Sequence, residues 1–118
     1  VSWESIPQNM TGVDIGDNSI NLFTTEIGMA QTLFINGPMG VFEKEEFQHG
    51  TRSILQAFVK ATDNGAYAVA GGGDTLAALG AFNLRNKLSW ESTGGGASLT
   101  LLEGSPLPAV KALEEKIK

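Results

Sequence analysis

Cysteine is missing from this 118-residue sequence, which excludes disulfides and thiolate metal sites and fits a reducing, cytoplasmic setting. Histidine occurs once, at His49, so a zinc-type site has too few nitrogen ligands. Basic residues are scarce. The 8 Lys and Arg against 13 Asp and Glu leave a net charge of -5, which repels nucleic-acid backbones and acidic membranes, so an anionic ligand must be held by local structure. Apolar runs are short, and no segment is expected to span a membrane. The opening Val1-Ser2-Trp3-Glu4 has no initiator Met and no charged region leading into an apolar one. It reads as mid-protein sequence, with any targeting signal expected upstream.

What is present suffices for one compact domain. Hydrophobic residues make up 42% of the chain, and a chain of this length buries about two-thirds of its unfolded surface. Short β-rich runs alternate with helical patterns, which predicts an α/β, Rossmann-like parallel sheet with flanking helices. The expected strands are Gly12 to Gly16, Thr32 to Asn36, Ala66 to Ala70 and Leu88 to Ser92, mostly unbroken apolar runs suited to burial on both faces. Between them, Ile20, Phe23, Ile27 and Ala30 keep helical spacing, as do Phe47, Ile54 and Phe58 in a segment from about Lys44 to Thr62. Shorter helices are expected after Asp74 and after Gly96. A tail helix carries Leu107, Val110, Leu113 and Ile117 on one side and needs a partner surface.

The glycines gather where strands are expected to end, which in open parallel sheets is where ligands bind. Three loops result. The first, Asn36-Gly37-Pro38-Met39-Gly40-Val41-Phe42-Glu43, is a shaped turn into a helix; by itself it reads as a rigid connection, with Glu43 and Glu45 in the helix's first turn favouring its dipole. The second, Gly71-Gly72-Gly73-Asp74-Thr75, lets backbone come close to a bulky anion and points helix-start amides at it. Asp74 beside phosphates calls for an intervening cation, making it a Mg²⁺ ligand, with the Thr75 hydroxyl on a phosphate oxygen; the plainer alternative is a helix-capping Asp. The third loop, Ser92-Thr93-Gly94-Gly95-Gly96-Ala97-Ser98, repeats the arrangement, so two sets of amide donors suggest a polyphosphate gripped by both. Neither loop has the pattern of Walker-type ATPases or nicotinamide dehydrogenases. His49 is expected to face solvent, and Trp3 and Trp90 to pack.

NGPMGVFE, GGGDT and STGGGASL followed by LLEG, with DIG at Asp14 to Gly16, stand in the order and approximate spacing found in phosphoglycerate kinases, and the chain resembles that family over nearly its whole length. The resemblance implies a two-domain kinase of which only the C-terminal, nucleotide-binding part is matched: residues 1–104 as part of that domain, and 105–118 as a tail packing back toward the other. It implies that Glu43 meets the nucleotide ribose, that Asn36, Pro38 and Val41 line the nucleoside pocket, and that Asp74 binds Mg²⁺. Gly72, Gly73 and Thr75 would hold the phosphates of ADP or ATP. Thr93 and the catalytic amides of Gly94, Gly95 and Gly96 would lie near the phosphoryl group in flight.

The implied reaction moves a phosphoryl group reversibly from 1,3-bisphosphoglycerate to MgADP, giving 3-phosphoglycerate and ATP in glycolysis. In the family the sugar-acid substrate is bound mainly by the other domain, and the parent is expected to be a cytoplasmic monomer. Arg52 and Arg85 do not match the family's basic residues, so the chain is expected to be inactive alone. The alternative is a stand-alone nucleotide-binding or regulatory module. Ile35 replaces a usual Trp, and Asp17-Asn18 a common Pro-Lys, departures that suggest lineage rather than lost chemistry.

Overall fold

β-branched and aromatic side chains in Thr32–Asn36 and Tyr67–Gly71 favour extended backbone, and both segments are strands in the computed structural model of the chain. The structure describes residues 1–104; the tail at 105–118 and the side chain of Trp3 lie outside the described residues. After a 3-10 turn at Trp3–Ser5 come α1 (Asp17–Met29), β1 (Thr32–Asn36), a second 3-10 turn at Glu45–Phe47 and α2 (His49–Asp63). There follow β2 (Tyr67–Gly71), α3 (Gly73–Ala81), β3 (Trp90–Ser92) and α4 (Gly95–Leu102). The strands form one parallel sheet in the order β1-β2-β3, with helices between successive strands, so the fold is α/β as expected.

β2 is the central strand, and its small side chains matter. Ala68 and Ala70 are 0% exposed, and both α2 and α3 contact this strand. Alanines there let the helices come close, and the space is filled from the helix side by Leu55 and Leu79, also fully buried, and by Ile54 and Phe58. Truncating such a leucine to alanine costs about 2–5 kcal/mol. Phe42, from the loop after β1, is buried and meets Phe82 edge to face at 6.5 Å. The loop is thereby pinned to the end of α3.

Three expectations need correction. Gly12–Gly16 is not a strand: the Asp14 carboxylate accepts the N–H of Ile15 and of Gly50, each at 2.8 Å, which bends the segment into a cap over the start of α2. Gly40 and Gly50 flank that carboxylate so closely that a methyl group on either would collide with it. The long helix starts at His49 rather than near Lys44, because residues 45–47 turn as a 3-10 helix first, so Glu43 and Glu45 are not in its first turn. Trp90, expected to pack, is 63% exposed on β3, an edge strand of the sheet. His49 faces solvent as expected, 3.5 Å from the exposed Asp17 carboxylate.

Candidate functional site

The register of the sheet aligns the starting points of all three loops. Asn36 pairs with Gly71, and Gly71 with Ser92, so the carboxyl ends of β1, β2 and β3 lie on one row. Loops leaving such a row must share the space above it.

They do so by close contact. A methyl group on Gly95 would stand 2.8 Å from the Cα of Gly72 and 2.9 Å from its nitrogen, so the second and third loops touch backbone to backbone. Asn36 wedges beside both: its side-chain oxygen would lie 2.8 Å from a methyl group on Gly72 and would collide with one on Gly95. The structure thus places Asn36, which the resemblance assigns to the nucleoside pocket, beside the glycine loops. Gly72 also has φ of 94°, a conformation open to glycine at little cost, and its N–H donates to Ser92 O at 2.8 Å.

Both following helices open without side-chain caps. The first internal hydrogen bond of α3 runs from Leu76 N–H to Gly72 O at 3.1 Å, which leaves the amides of Gly73, Asp74 and Thr75 with no acceptor in the helix. In α4 the first is Ser98 N–H to Gly94 O at 2.8 Å, leaving Gly95, Gly96 and Ala97 likewise. The latter helix begins two residues earlier than the sequence suggested, which brings Gly95 and Gly96 into its donor turn. Each helix start carries roughly half a positive charge. No Lys or Arg occurs in residues 36–43, 71–75 or 92–98, so within these loops amides and helix ends are the source of positive potential.

Asp74 is exposed in the first turn of α3, and among the described residues its carboxylate makes no hydrogen bond. The capping alternative therefore fails, because the cap position belongs to Gly72. Among the described residues no group of three or more His, Cys, Asp or Glu could hold a metal ion. Thr75, expected to reach a phosphate, is buried, and its hydroxyl accepts the Gly37 N–H at 2.7 Å, tying the second loop to the first. Thr93 is exposed, and it is the neighbouring Ser92 whose hydroxyl accepts the Gly94 N–H at 3.2 Å and tightens the third loop. Pro38 is half-buried, while Val41 and Glu43 are exposed on either side of the anchored Phe42.

Sequence reasoning missed Asp14, Thr51 and Ser92 as loop-shaping groups. The hydroxyl of Thr51, in α2, accepts the amides of Met39 and Gly40 at 3.1 and 3.3 Å. Only the isolated Asp in DIG carried a signal, a charged residue inside an apolar run.

A cavity of about 480 Å³ lies elsewhere, at the amino ends of β1 and β2, lined among others by Met29, Thr32, Asn64 and Tyr67. Its lining has no carboxylate, histidine or basic side chain, and it lies at the opposite end of the strands from the row. No helix among the described residues is long and apolar enough to cross a membrane.

Parallel strands whose carboxyl ends carry two uncapped, glycine-opened helix starts define the anion-cradling side of a Rossmann-like α/β domain. Comparison with known proteins narrows this class. The family model described as phosphoglycerate kinase matches residues 1–105. The phosphoglycerate kinase of Yarrowia lipolytica is 51% identical over 113 residues, 96% of this chain and 27% of the relative, and that of Chloroflexus aggregans is 50% identical over 115 residues, 98% and 29%. The solved phosphoglycerate kinase of Coxiella burnetii superposes with a TM-score of 0.81 at 46% identity, covering 92% of this chain and 27% of that one. The chain belongs to the phosphoglycerate kinase family, which is one of phosphotransferases, and it spans a little over a quarter of the length of these relatives.

Proposed function

We propose that this chain supplies the nucleotide and Mg-phosphate side of a phosphoglycerate kinase site. The carrying observation is the single row Asn36–Gly71–Ser92, which gathers two sets of free helix-start amides around one crevice. On this reading residues 1–104 are the C-terminal part of a nucleotide-binding domain, and 105–118 pack back toward a substrate domain.

The roles follow from position. The free amides of Gly73 and Thr75 hold the nucleotide's phosphates beside Gly72, whose own N–H is taken by Ser92 O and whose bare Cα lets a phosphate come close, and the Asn36 side chain serves the phosphate end rather than the nucleoside. Thr75 keeps a hydroxyl proton to donate while accepting from Gly37. Pro38 and Val41 line the nucleoside pocket, with the Glu43 carboxylate accepting from the ribose. Thr93, Gly94 and the free amides of Gly95 and Gly96 face the phosphoryl group during transfer, the Gly94 N–H itself being held by the Ser92 hydroxyl.

Charge sets the remaining requirement. Two helix starts supply about one positive charge, against about three negative charges on ADP. A lone, unpaired carboxylate fits a Mg²⁺ ion whose other ligands are phosphate oxygens and water, and Asp74 is that carboxylate. Bound there, Mg²⁺ would offset about two of the roughly three negative charges that ADP and Asp74 together leave beyond the helix starts.

The reaction is transfer of the acyl phosphate of 1,3-bisphosphoglycerate to MgADP, reversibly, with no covalent enzyme intermediate. This chain's share is positioning and amide donation to the equatorial oxygens. The basic groups for the sugar-acid substrate lie outside it, so the chain alone is inactive.

Calorimetric titration with ADP tests this reading. Binding should be Mg²⁺-dependent, and Asp74→Ala should weaken it about tenfold or more while leaving the melting temperature within about 2 °C, since the side chain makes no hydrogen bond in the fold. Unchanged MgADP affinity in that variant would remove the metal role. Robust ATP formation from 1,3-bisphosphoglycerate by the isolated chain would refute the half-site reading.

A further inference from the structure

Two polar side chains among the described residues are buried, Thr51 and Thr75, each 1% exposed. Both belong to helices, where a threonine commonly returns its hydroxyl to its own helix. Others here do so: Thr25 donates to Asn21 O, Thr62 to Phe58 O and Thr100 to Gly96 O. Thr51 and Thr75 instead accept amides from one loop, the turn after β1, from two different helices. Thr75 lies in a glycine loop already. Thr51 does not: it stands in the first turn of α2, in a segment with no ligand motif.

Its two bonds fall at a decisive place. Met39 and Gly40, the residues it holds, immediately precede Val41, and Glu43 follows two residues later. Beyond them the path is set by Val41 N–H donating to Val13 O at 2.9 Å and by buried Phe42. Between Gly37, held by Thr75, and Val41, held by Val13, the Thr51 hydroxyl is the only side-chain group among the described residues that fixes the backbone, and one of the two residues it fixes is a glycine. Thr51 thus shapes the turn that delivers the chain to these anchors, and Glu43 lies just past them.

We propose that Thr51 is a positioning residue for the nucleoside end of the site, acting through the Met39 and Gly40 amides on the placement of Val41 and Glu43. This rests on the nucleotide reading above. A purely structural threonine would affect all ligands alike, whereas a positioning residue for one end affects that end.

The test titrates the 118-residue chain and its Thr51→Val and Thr51→Ser variants with MgADP, adenosine and Mg-pyrophosphate, followed by NMR. Loss of the acceptor should weaken MgADP and adenosine about five- to tenfold, leave pyrophosphate within about twofold, and be restored by Thr51→Ser. Equal losses for all three ligands, or no loss for MgADP, would overturn the positioning role and leave the nucleotide reading standing. No MgADP binding by the unaltered chain overturns both. Should Thr51→Val not fold, hydrogen exchange on the unaltered chain and the Thr51→Ala variant decide: protected Met39 and Gly40 amides with a nucleoside-selective loss in Thr51→Ala support the role, while freely exchanging amides refute it.

Discussion

Gly73 opens α3 at a point where a side chain has room. A methyl group on its Cα meets no heavy atom within 4 Å, and its backbone is helical, so the fold does not ask for glycine there. Alanine is better than glycine inside a helix by about 0.5–1 kcal/mol, and at the first helical position about half of that gain is expected. For a chain of this size Gly73→Ala should then raise the melting temperature by about 1–3 °C, measured by circular dichroism. The ligand's view is the opposite. The methyl group would stand beside the free amides of Gly73 and Asp74, where a phosphate oxygen must approach. Losing one amide–phosphate bond, worth about 1.5–3 kcal/mol, weakens pyrophosphate binding about 10- to 100-fold. Gly95→Ala is the contrasting control, because its methyl group would meet Gly72 backbone atoms at 2.8 and 2.9 Å, which should cost about 1–3 kcal/mol of stability. A Gly73→Ala chain that melts several degrees lower, or binds pyrophosphate as before, would refute the idea that this glycine serves a ligand.

Two stability predictions concern the ties between segments. Thr75→Val keeps the shape but leaves the Gly37 N–H without its acceptor, and should cost about 1–2 kcal/mol in urea unfolding, most of it recovered by Thr75→Ser. Asp14→Ala removes the acceptor of the Gly50 amide at the start of α2 and should cost about 1–2 kcal/mol by the same measurement; a change below a few tenths would show that Asp14 does not cap the helix.

The parts of the fold legible in sequence are those governed by local periodicity and glycine placement. Thr32–Asn36 is a strand at the expected bounds, and β2 differs from its expected span by one residue. Both glycine loops fall at strand ends as their composition indicated. Gly12–Gly16 misled because its apolar run resembles a strand, while Asp14 spends its carboxylate on an amide 36 residues away. Contacts of that span have no local signature. The same holds for Thr51, whose partners lie 11 and 12 residues distant across a turn, and for the meeting of Gly95 with Gly72. Sequence could say that Gly71–Thr75 and Ser92–Ser98 were phosphate-ready; the pairing of Asn36 with Gly71 and of Gly71 with Ser92 set where they meet. The role of Glu43 was reached through resemblance alone, since no spacing distinguishes it from Glu45.

The row shared by Asn36, Gly71 and Ser92 also bears on how such a chain can change length over evolution. One residue inserted within β2 would push Gly71 past its partners and disturb both neighbouring loops at once, so insertions and deletions in the strands should be purged. The connection from α3 to β3 is different. Lys87 is exposed there, and Asn83 and Asn86 already adopt positive φ, so added residues would project into solvent and leave the row in step. Length variation among relatives should therefore collect at that turn and be scarce within the strands.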